Sequence, residues 1–311
     1  MRILLSGGAG FIGSHVAEAY LDQGHEVVVL DDLSTGTPEN LPPGAELVVG
    51  DVTSPEAAKL VLEGRFDVIN HHAAQVSVPA SVADPLGDAQ VNVLGTLNLL
   101  EAGAKAGVKR FIFISSGGAI YGEMSRPATE QTPPAPMSPY AVAKLAAEEY
   151  AAYYARAKGM EVVVLRYANV YGPRQVSHAE AGVVAIFMDQ LIRSRPCTVF
   201  RYPDTPEGMV RDYVYVADCA RANILALEGP PGTYNISTGV GTTTLALYRL
   251  IAAVAGAPPT PAFGPARPGD IRYSVLNPSL ARARLGWEAH VGLKEGIEKT
   301  WRWRVGQEEG A

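Results

Sequence analysis

Short runs of apolar, largely β-branched residues alternate with longer amphipathic stretches through the first half of the chain. The apolar runs predict six strands, at residues 2–6, 26–31, 46–50, 68–71, 110–115 and 161–166. The amphipathic stretches predict helices near residues 11–23, 55–63, 88–106 and 139–158. Because the strands are apolar on both faces and alternate with helices, we expect an α/β fold with a doubly wound parallel sheet.

The second half of the chain is less regular. Pro and Gly cluster at residues 172–173, 229–232 and 258–268, which predicts a smaller C-terminal lobe built from insertions. Residues 212–237 follow a pattern of strand, helix and strand, and we expect this segment to return to the main sheet.

A glycine-rich turn joins the first predicted strand to the first predicted helix. Glycines at positions Gly7, Gly10 and Gly13 permit a tight turn, close approach of the backbone to a pyrophosphate, and close packing of helix on strand. Phe11 and Ile12 open the helix, whose unpaired N–H groups and dipole favour a phosphate. We therefore expect a Rossmann-like fold that binds a dinucleotide.

Two acidic residues end the second predicted strand. Asp31 and Asp32 follow the glycine turn by about 20 residues, where a carboxylate accepts hydrogen bonds from the adenosine ribose hydroxyls. Because a carboxylate repels a 2′-phosphate, we predict NAD rather than NADP as the cofactor.

A tyrosine and a lysine lie four residues apart on a predicted helix that Pro139 opens. This spacing places Tyr140 and Lys144 on one face, where an ammonium group favours the ionised phenol. Tyr140 would then act as a base near neutral pH. Ser115 and Ser116 end the preceding strand. We assign Ser116 as the hydroxyl that orients the substrate oxygen, with Ser115 as the alternative.

The glycine turn and the Tyr-Lys pair resemble those of the extended short-chain dehydrogenase/reductases. Within that group the chain resembles the UDP-glucose 4-epimerases over essentially its whole length. The other shared motifs are Asp51-Val52, Asn92, RYANVYGP at residues 166–173, RDYVYVAD at 211–218 and RPGD at 267–270.

The resemblance implies further cofactor contacts beyond the glycine turn and the two aspartates. The residues at matching positions are Asp51, Val52, Ala73, Ala74, Gln75, Asn92, Tyr140 and Lys144. We expect residues 1–168 and 212–237 to form an NAD-binding Rossmann domain, and residues 169–211 and 238–311 to form a nucleotide-sugar-binding lobe.

The resemblance also implies substrate contacts in addition to Ser116 and Tyr140. Asn169, Arg211, Arg267 and Asp270 match nucleotide-sugar positions, and guanidinium groups can bind a diphosphate bidentately. Some relatives carry a bulky aromatic at the position of Ser274, which restricts them to sugars without an N-acetyl group. The small serine therefore predicts a roomier pocket that accepts N-acetylated UDP-sugars as well.

The segment after the active-site strand differs from the family pattern of a Ser/Thr triplet, two residues and Val-Tyr-Gly. It reads SSGGAIYG at residues 115–122. Nucleotide-sugar 4,6-dehydratases normally carry an Asp-Glu pair just after the active-site hydroxyl, where this chain has Gly117 and Gly118. Without those carboxyl groups the elimination of water lacks its acid and base, so a dehydratase is the less favoured alternative.

The resemblance implies an epimerase that inverts C4 of a UDP-hexose through a 4-keto intermediate with bound NAD. Tyr140 would move the hydroxyl proton while C4 exchanges a hydride with the cofactor. An alternative of another class is a catalytically silent NAD-binding sensor, which the intact Tyr140, Lys144 and serine pair argue against.

Charge and composition exclude several other partners. The net charge of −6 and the lack of any Lys/Arg run argue against a nucleic-acid backbone as the ligand. No apolar stretch approaches the roughly 20 residues of a membrane span, and residues 1–8 do not resemble a signal peptide, so we expect a cytoplasmic protein. Cys197 and Cys219 lack any CxxC spacing and predict neither a disulfide framework nor a zinc site.

Two remaining features favour packing over chemistry. His71 and His72 are adjacent on a predicted strand and point to opposite faces, so we expect no metal site there. Tyr150, Tyr153 and Tyr154 form a stripe on the Tyr140 helix, which predicts core or subunit interface. Because relatives commonly dimerise through that helix, we expect a homodimer.

Overall fold

A parallel sheet flanked by helices forms the larger part of the chain. The computed structural model describes residues 1–177, 182–267 and 269–308, so Pro268 of the RPGD motif lies outside the described residues. The described strands are β1 Arg2–Ser6, β2 Glu26–Asp31, β3 Glu46–Val49, β4 Val68–His71, β5 Arg110–Ser116, β6 Glu161–Tyr167, β7 Asn169–Tyr171, β8 Thr198–Arg201, β9 Val210–Tyr215, β10 Gly232–Ile236, β11 Gly241–Thr243, β12 Ala262–Pro265 and β13 Tyr273–Ser274.

The described helices connect and cover these strands. They are α1 Phe11–Asp22, α2 Pro55–Glu63, α3 Val78–Ala83, α4 Pro85–Ala89, α5 Thr96–Ala106, α6 Gly117–Ile120, α7 Pro139–Lys158, α8 Val183–Ile192, α9 Val216–Ala226, α10 Thr244–Ala255, α11 Ser279–Leu285 and α12 Leu293–Glu308, with a 3₁₀ turn at Pro38–Asn40 and a π-helix at Gln90–Gly95. No helix in the described ranges is long and apolar enough to cross a membrane.

The main sheet has seven parallel strands in the order β10-β6-β5-β4-β1-β2-β3, which confirms the predicted doubly wound α/β fold. Successive residues of β1 face opposite layers. Ile3 and Leu5 pack with α1 and α9, whereas Leu4 packs with α2, α5 and α7. Both faces of the sheet are therefore buried, which explains the continuous apolar runs of its strands.

The 20-residue helix α7 has well-defined ends. The Ser138 hydroxyl accepts a hydrogen bond from the Ala141 N–H at 3.2 Å, Pro139 occupies the first turn, and Gly159 adopts a left-handed conformation at the C-terminus. A capped first turn with its φ fixed by proline holds Tyr140 in a defined orientation.

The predicted helix at residues 88–106 is wrong in its start and its continuity. It begins at Pro85, where the Asp84 carboxylate accepts a hydrogen bond from the Gly87 N–H, and six π-helical residues interrupt it before α5. Such wide turns are frequent at functional sites. Here the π-helix contains the buried Asn92.

A smaller sheet carries the second lobe. Strand β9 pairs with β7, β11 and β13. Of the elements predicted in residues 212–237, α9 and β10 do return to the main sheet, where β10 pairs with β6. The strand before them does not, because β9 lies in the smaller sheet.

Candidate active site

The predicted site residues gather at the carboxyl ends of the main-sheet strands. The glycine turn follows β1, Asp31 ends β2, Ala73 follows β4, and Ser116 ends β5. The smaller sheet then adds Asn169, Arg211 and Ser274 from strands β7, β9 and β13. Ligands of open parallel sheets bind at this edge.

Different constraints act on the three glycine positions of the turn. Gly7 has a φ of +70°, and a Cβ there would lie 2.5 Å from the Ala73 nitrogen. A Cβ on Gly13 would collide with the Gly7 carbonyl oxygen. At Gly10 the nearest atom to such a Cβ is that same oxygen, at 3.4 Å, so the protein's own packing barely restricts this position. The bare backbone at Gly10 and the free first turn of α1, with Phe11 and Ile12, fit a pyrophosphate.

We therefore expect Gly10→Ala and Gly13→Ala to fail in different ways. Gly13→Ala forces backbone apart and should lower the melting temperature of the protein without cofactor. Gly10→Ala should melt within a few degrees of the wild type but bind NAD at least about tenfold more weakly, a loss of about 1.4 kcal/mol. Calorimetric titration with NAD and thermal melts of both variants test this, and equal melting temperatures for the two would contradict it.

The two aspartates after β2 have separate environments. Asp31 is 6% exposed, and its two oxygens accept hydrogen bonds from the Ala9 and Leu33 N–H groups, both at 2.9 Å. Burial raises the pKa of its carboxyl, while those two bonds lower it. Asp32 is partly exposed and accepts bonds from the Ser34 N–H and hydroxyl. Asp31 therefore anchors the glycine turn, and both carboxylates lie at the edge predicted for the ribose.

The Asp51-Val52 pair continues this edge beyond β3. Asp51 is exposed, and its carboxylate accepts a hydrogen bond from the Thr53 N–H at 2.8 Å. Val52 is buried and lies close enough to Gly95 that a Cβ there would be 2.7 Å from it. Such an apolar surface beside a carboxylate suits one face of an adenine.

Amide side chains hold the loop after β4 in place. The buried Asn92 accepts a hydrogen bond from the Gln75 N–H at 3.1 Å and donates one to the Gln75 carbonyl at 3.0 Å. Ala73 donates to the Ser6 carbonyl, and Ala74 is partly buried between them. In the protein alone, Asn92 thus supports the cofactor loop, and the Gln75 side chain also turns inward, where it donates to Asp88.

The two serines at the end of β5 point to different partners. The Ser115 hydroxyl donates a hydrogen bond to the Glu148 carboxylate and is buried. The Ser116 side chain lies beside Tyr140 and lowers the pKa of its phenol. Geometry therefore favours Ser116 over Ser115 as the hydroxyl that meets a substrate beside Tyr140.

The expected fall in the pKa of Tyr140 is wrong for the protein alone. Burial raises this pKa to about 12, the Ser116 side chain lowers it, and the negative charge of Asp88 raises it. Lys144 is 4% exposed and donates to the Ile114 carbonyl at 3.0 Å. Burial lowers its pKa to about 8, against the charges of Asp88 and Glu148. The phenol is therefore protonated near neutral pH in the protein alone.

Sequence reasoning missed the ion pair beneath these groups. Glu148 receives hydrogen bonds from the Arg166 Nε at 3.0 Å and Nη2 at 2.5 Å, and both side chains are buried. Arg166 also donates to the Tyr121 hydroxyl at 2.7 Å, which in turn donates to Asn235 at 3.0 Å. The spacing of Glu148, four residues after Lys144 on one helix face, could have revealed it.

The smaller sheet brings two predicted substrate residues together. Ser274 and Arg211 are directly paired in the register of β13 and β9, and the Ser274 hydroxyl lies 3.4 Å from the Gly118 carbonyl oxygen. Burial lowers the pKa of Arg211, while Asp270 opposes the shift. The side chain amide oxygen of Asn169 would lie 3.6 Å from a Cβ on Gly118. All of these groups therefore border the turn that follows the active-site strand.

Arg267 and Asp270 form the ends of a tight turn. The Asp270 carboxylate accepts a hydrogen bond from the Arg267 N–H at 3.1 Å, and the Arg267 guanidinium lies 4.5 Å above the Phe200 ring centre. Glu123 connects this segment to the active-site turn, since its carboxylate accepts hydrogen bonds from the N–H groups of Arg272 and Tyr273 at 2.8 and 3.0 Å.

Gly117, the first glycine after Ser116, leaves little room for a side chain. A Cβ on Gly117 would collide with the Leu276 side chain. The packing itself therefore opposes an acidic side chain at the first of the two positions where a dehydratase would carry its acid and base.

The two histidines lie in packed surroundings, as expected, whereas the tyrosine stripe divides between the core and the surface. His71 is buried between the hydroxyls of Ser6 at 2.6 Å and Thr96 at 3.0 Å, and burial lowers the pKa of His72 to about 3. The Tyr154 ring is buried, and its hydroxyl donates a hydrogen bond to Glu101 at 2.7 Å. Tyr150 and Tyr153 are 43% and 51% exposed.

Known proteins resemble this chain over its full length. The model of the NAD dependent epimerase/dehydratase family matches residues 3–237. The UDP-glucose 4-epimerase of Mycolicibacterium smegmatis is 45% identical over 310 residues, which cover 96% of this chain and 97% of that protein.

Two solved structures extend the likeness to the fold. UDP-glucose 4-epimerase from Thermotoga maritima, with UDP-glucose, is 44% identical, and its TM-score is 0.95 over 99% of this chain and 100% of that one. UDP-glucose 4-epimerase from Thermus thermophilus, with NAD, is 46% identical, and its TM-score is 0.93 over 98% of this chain and 99% of that one. The fold, the glycine turn and the side chains at the carboxyl ends of the main-sheet strands agree with these comparisons. This chain belongs to the NAD-dependent epimerase/dehydratase family.

Proposed function

We propose that this chain is a UDP-glucose 4-epimerase, which interconverts UDP-glucose and UDP-galactose by inverting C4 of the sugar. The observation that carries the proposal is the placement of Tyr140 and the buried Lys144 four residues apart on α7, with Ser116 at the end of β5 beside Tyr140. Two glycines stand where a dehydratase would carry its acids. The likeness to UDP-glucose 4-epimerases along the whole chain agrees with this.

NAD is the cofactor, and the residues at its site fit it. The open backbone at Gly10 can meet the pyrophosphate, and the carboxylates of Asp31 and Asp32, at and just after the end of β2, can accept hydrogen bonds from the adenosine ribose hydroxyls. When bound, NAD supplies the redox chemistry by taking a hydride from C4 and returning it to the opposite face of the sugar.

Tyr140 moves the proton that accompanies this exchange. It removes the proton from the C4 hydroxyl as the C4–H bond breaks, which leaves a 4-keto sugar, and it gives the proton back when C4 is reduced. Ser116 orients the C4 oxygen by a second hydrogen bond. Because the same proton and hydride return, the stereocentre inverts without net oxidation.

The arginines of the smaller lobe hold the other end of the substrate. Arg211 and Arg267 supply guanidinium groups that can bind the diphosphate, and Asn169 lies beside the active-site turn. A diphosphate fixed at one end lets the keto sugar rotate without leaving, so that either face of C4 can meet the cofactor.

The test is to incubate the purified protein with UDP-galactose, without added reductant, and to follow the C4 configuration by proton NMR. An equilibrium mixture of the two C4 epimers is expected. Accumulation of a 4-keto-6-deoxy sugar would instead identify a dehydratase. No turnover of any nucleotide-sugar would leave a silent NAD-binding protein.

The small side chain at Ser274 underlies a further part of the proposal, the acceptance of UDP-N-acetylglucosamine. We expect Ser274→Tyr to lower kcat/KM for this substrate at least about tenfold, or about 1.4 kcal/mol, since the phenol would fill space beside Gly118. UDP-galactose should lose much less. Equal losses for both sugars in parallel NMR assays would show that Ser274 does not define the acyl pocket.

We further propose that the chain works as a homodimer. Helix α7 presents Val142, Tyr150 and Tyr153 to solvent, and Val82 and Leu86 of the adjacent segments are also exposed. Apolar side chains grouped on one surface are typical of a subunit interface. Light scattering should give the mass of two chains, and the mass of one would reject the dimer.

A further inference from the structure

A series of buried hydrogen bonds joins the two backbone segments that border the cofactor site. One segment is the glycine turn, which begins directly after Ser6 at the end of β1. The other is the loop after β4, which Asn92 of the π-helix holds at Gln75. The imidazole of His71, the last residue of β4, lies between them and is 1% exposed. It therefore depends on the protein for its hydrogen bonds.

Both ring nitrogens of His71 have a hydroxyl partner. Nδ1 lies 2.6 Å from the Ser6 Oγ, and Nε2 lies 3.0 Å from the Thr96 Oγ1. All three side chains are buried. The rings of Phe111 and Phe113 have their centres 6.0 and 5.9 Å from the centre of the imidazole. Because both nitrogens are occupied inside an apolar layer, this histidine has none left for a substrate or a metal.

The hydroxyl of Thr96 fixes the direction of these bonds. It donates its single proton to the carbonyl oxygen of Asn92, four residues earlier, at 2.8 Å. The Thr96 oxygen can then only accept from His71, so the imidazole carries its proton on Nε2. Burial lowers the pKa of His71 well below its ordinary value, so the ring is neutral. Nδ1 is thus unprotonated and accepts a hydrogen bond from the Ser6 hydroxyl.

The bond from Thr96 also bears on the cofactor loop. It spans the boundary between the π-helix and α5, and it holds the backbone of Asn92. The side chain of Asn92 in turn holds both the N–H and the carbonyl of Gln75. Groups that are fixed by buried hydrogen bonds before a ligand arrives have less freedom to lose when it binds. The position of Gln75 thus depends on a threonine that is itself fully buried.

We propose that His71 is a positioning residue of the cofactor site, which as its Nε2–H tautomer connects the glycine turn, through Ser6, with the π-helix, through Thr96. The imidazole transfers no proton in this role. It keeps two cofactor-binding segments, which are far apart in the sequence, in a fixed relative position. The inference rests on NAD as the cofactor and not on which sugar is turned over.

The tautomer can be measured directly in the wild-type protein. The chain has six histidines, so ¹⁵N NMR of protein labelled in the histidine rings gives few signals, and His71→Gln identifies those of His71. At neutral pH we expect a proton bound to Nε2 and none bound to Nδ1. A proton on Nδ1, or on both nitrogens, would overturn the inference.

Thr96→Val removes the hydroxyl between His71 and Asn92 and keeps the branched shape. We expect this variant to bind NAD about threefold to tenfold more weakly, which is the effect of one lost hydrogen bond. Calorimetric titration with NAD is the measurement. Thr96→Ser keeps the hydroxyl and should retain most of the wild-type affinity.

The matched control is Thr300→Val. Thr300 is also buried, and its hydroxyl also donates to a carbonyl four residues earlier, that of Gly296 in α12, at 2.7 Å. The control removes the same kind of bond from a helix of the smaller lobe. It should lower the melting temperature by a similar amount but leave the affinity for NAD at the wild-type value.

Weaker NAD binding in Thr96→Val, but not in Thr96→Ser or Thr300→Val, supports the inference. Wild-type affinity in Thr96→Val would overturn it. An equal loss of affinity in Thr300→Val would overturn it too, because the cause would then be a general loss of stability. If Thr96→Val does not fold, the tautomer of the wild-type protein decides. If tautomer and affinities are as expected in a protein that turns over no nucleotide-sugar, the inference stands and the proposed function fails.

Discussion

Tyr140→Phe should reduce kcat for UDP-galactose by about a hundredfold to ten-thousandfold, the usual contribution of a positioned acid or base. The phenylalanine ring keeps the packing of the partly buried tyrosine, and only the hydroxyl beside Ser116 is lost. KM should change little, because Arg211 and Arg267, which we propose to bind the diphosphate, lie outside the main sheet. The measurement is the initial rate of C4 epimerisation at saturating substrate.

The control for this result is Tyr150→Phe, on the same helix. Tyr150 lies on the proposed subunit surface, outside the active site, and phenylalanine keeps the ring that would pack there, so turnover should remain at the wild-type level. If Tyr140→Phe kept more than about a tenth of the wild-type kcat, which corresponds to less than about 1.4 kcal/mol, another group would have to move the proton.

Arg166→Leu should cause the largest loss of stability, about 3–5 kcal/mol. The change leaves the Glu148 carboxylate buried without the cation that donates to both of its oxygens. It also removes the donor to Tyr121, which supports the active-site turn. Urea denaturation followed by circular dichroism measures the free energy of unfolding.

Two further variants separate the buried charge from general disturbance. Arg282→Leu breaks a surface pair with Glu288, whose side chains are 65% and 54% exposed, and should cost about 1 kcal/mol or less. Adding Glu148→Gln to Arg166→Leu should restore part of the lost stability, since no unpaired charge then remains. A double variant no more stable than Arg166→Leu would show that packing, not charge, dominates the loss.

The fold follows from the sequence because its strands are defined locally. Helical layers cover both faces of the main sheet, so most of its strands contain apolar runs between helices, as Ile3, Leu4 and Leu5 illustrate. The π-helix before Thr96 was not predicted, because its residues have the same apolar periodicity as a regular helix. The placement of β9 outside the main sheet depends on long-range pairing that no local pattern records.

The site is predictable where chemistry is concentrated in short motifs, as for Tyr140 and Lys144. It is not predictable where a role depends on charge balance in three dimensions. Asp88 reads as one more polar residue of an amphipathic helix, and its burial against α7 becomes evident only from the packing. The pKa of Tyr140 was mispredicted for the same reason, since burial of the phenol raises this pKa and the sequence does not show that burial.

The glycine turn separates what the scaffold requires from what the ligand requires. Gly7 and Gly13 are indispensable to the backbone around them, whereas Gly10 has room for a methyl group. A descendant of this chain that abandoned its dinucleotide would keep the outer two glycines for as long as it folded. Only Gly10 could be replaced without disturbing the fold. An alanine at that position would therefore mark a descendant that keeps the fold but no longer binds a dinucleotide.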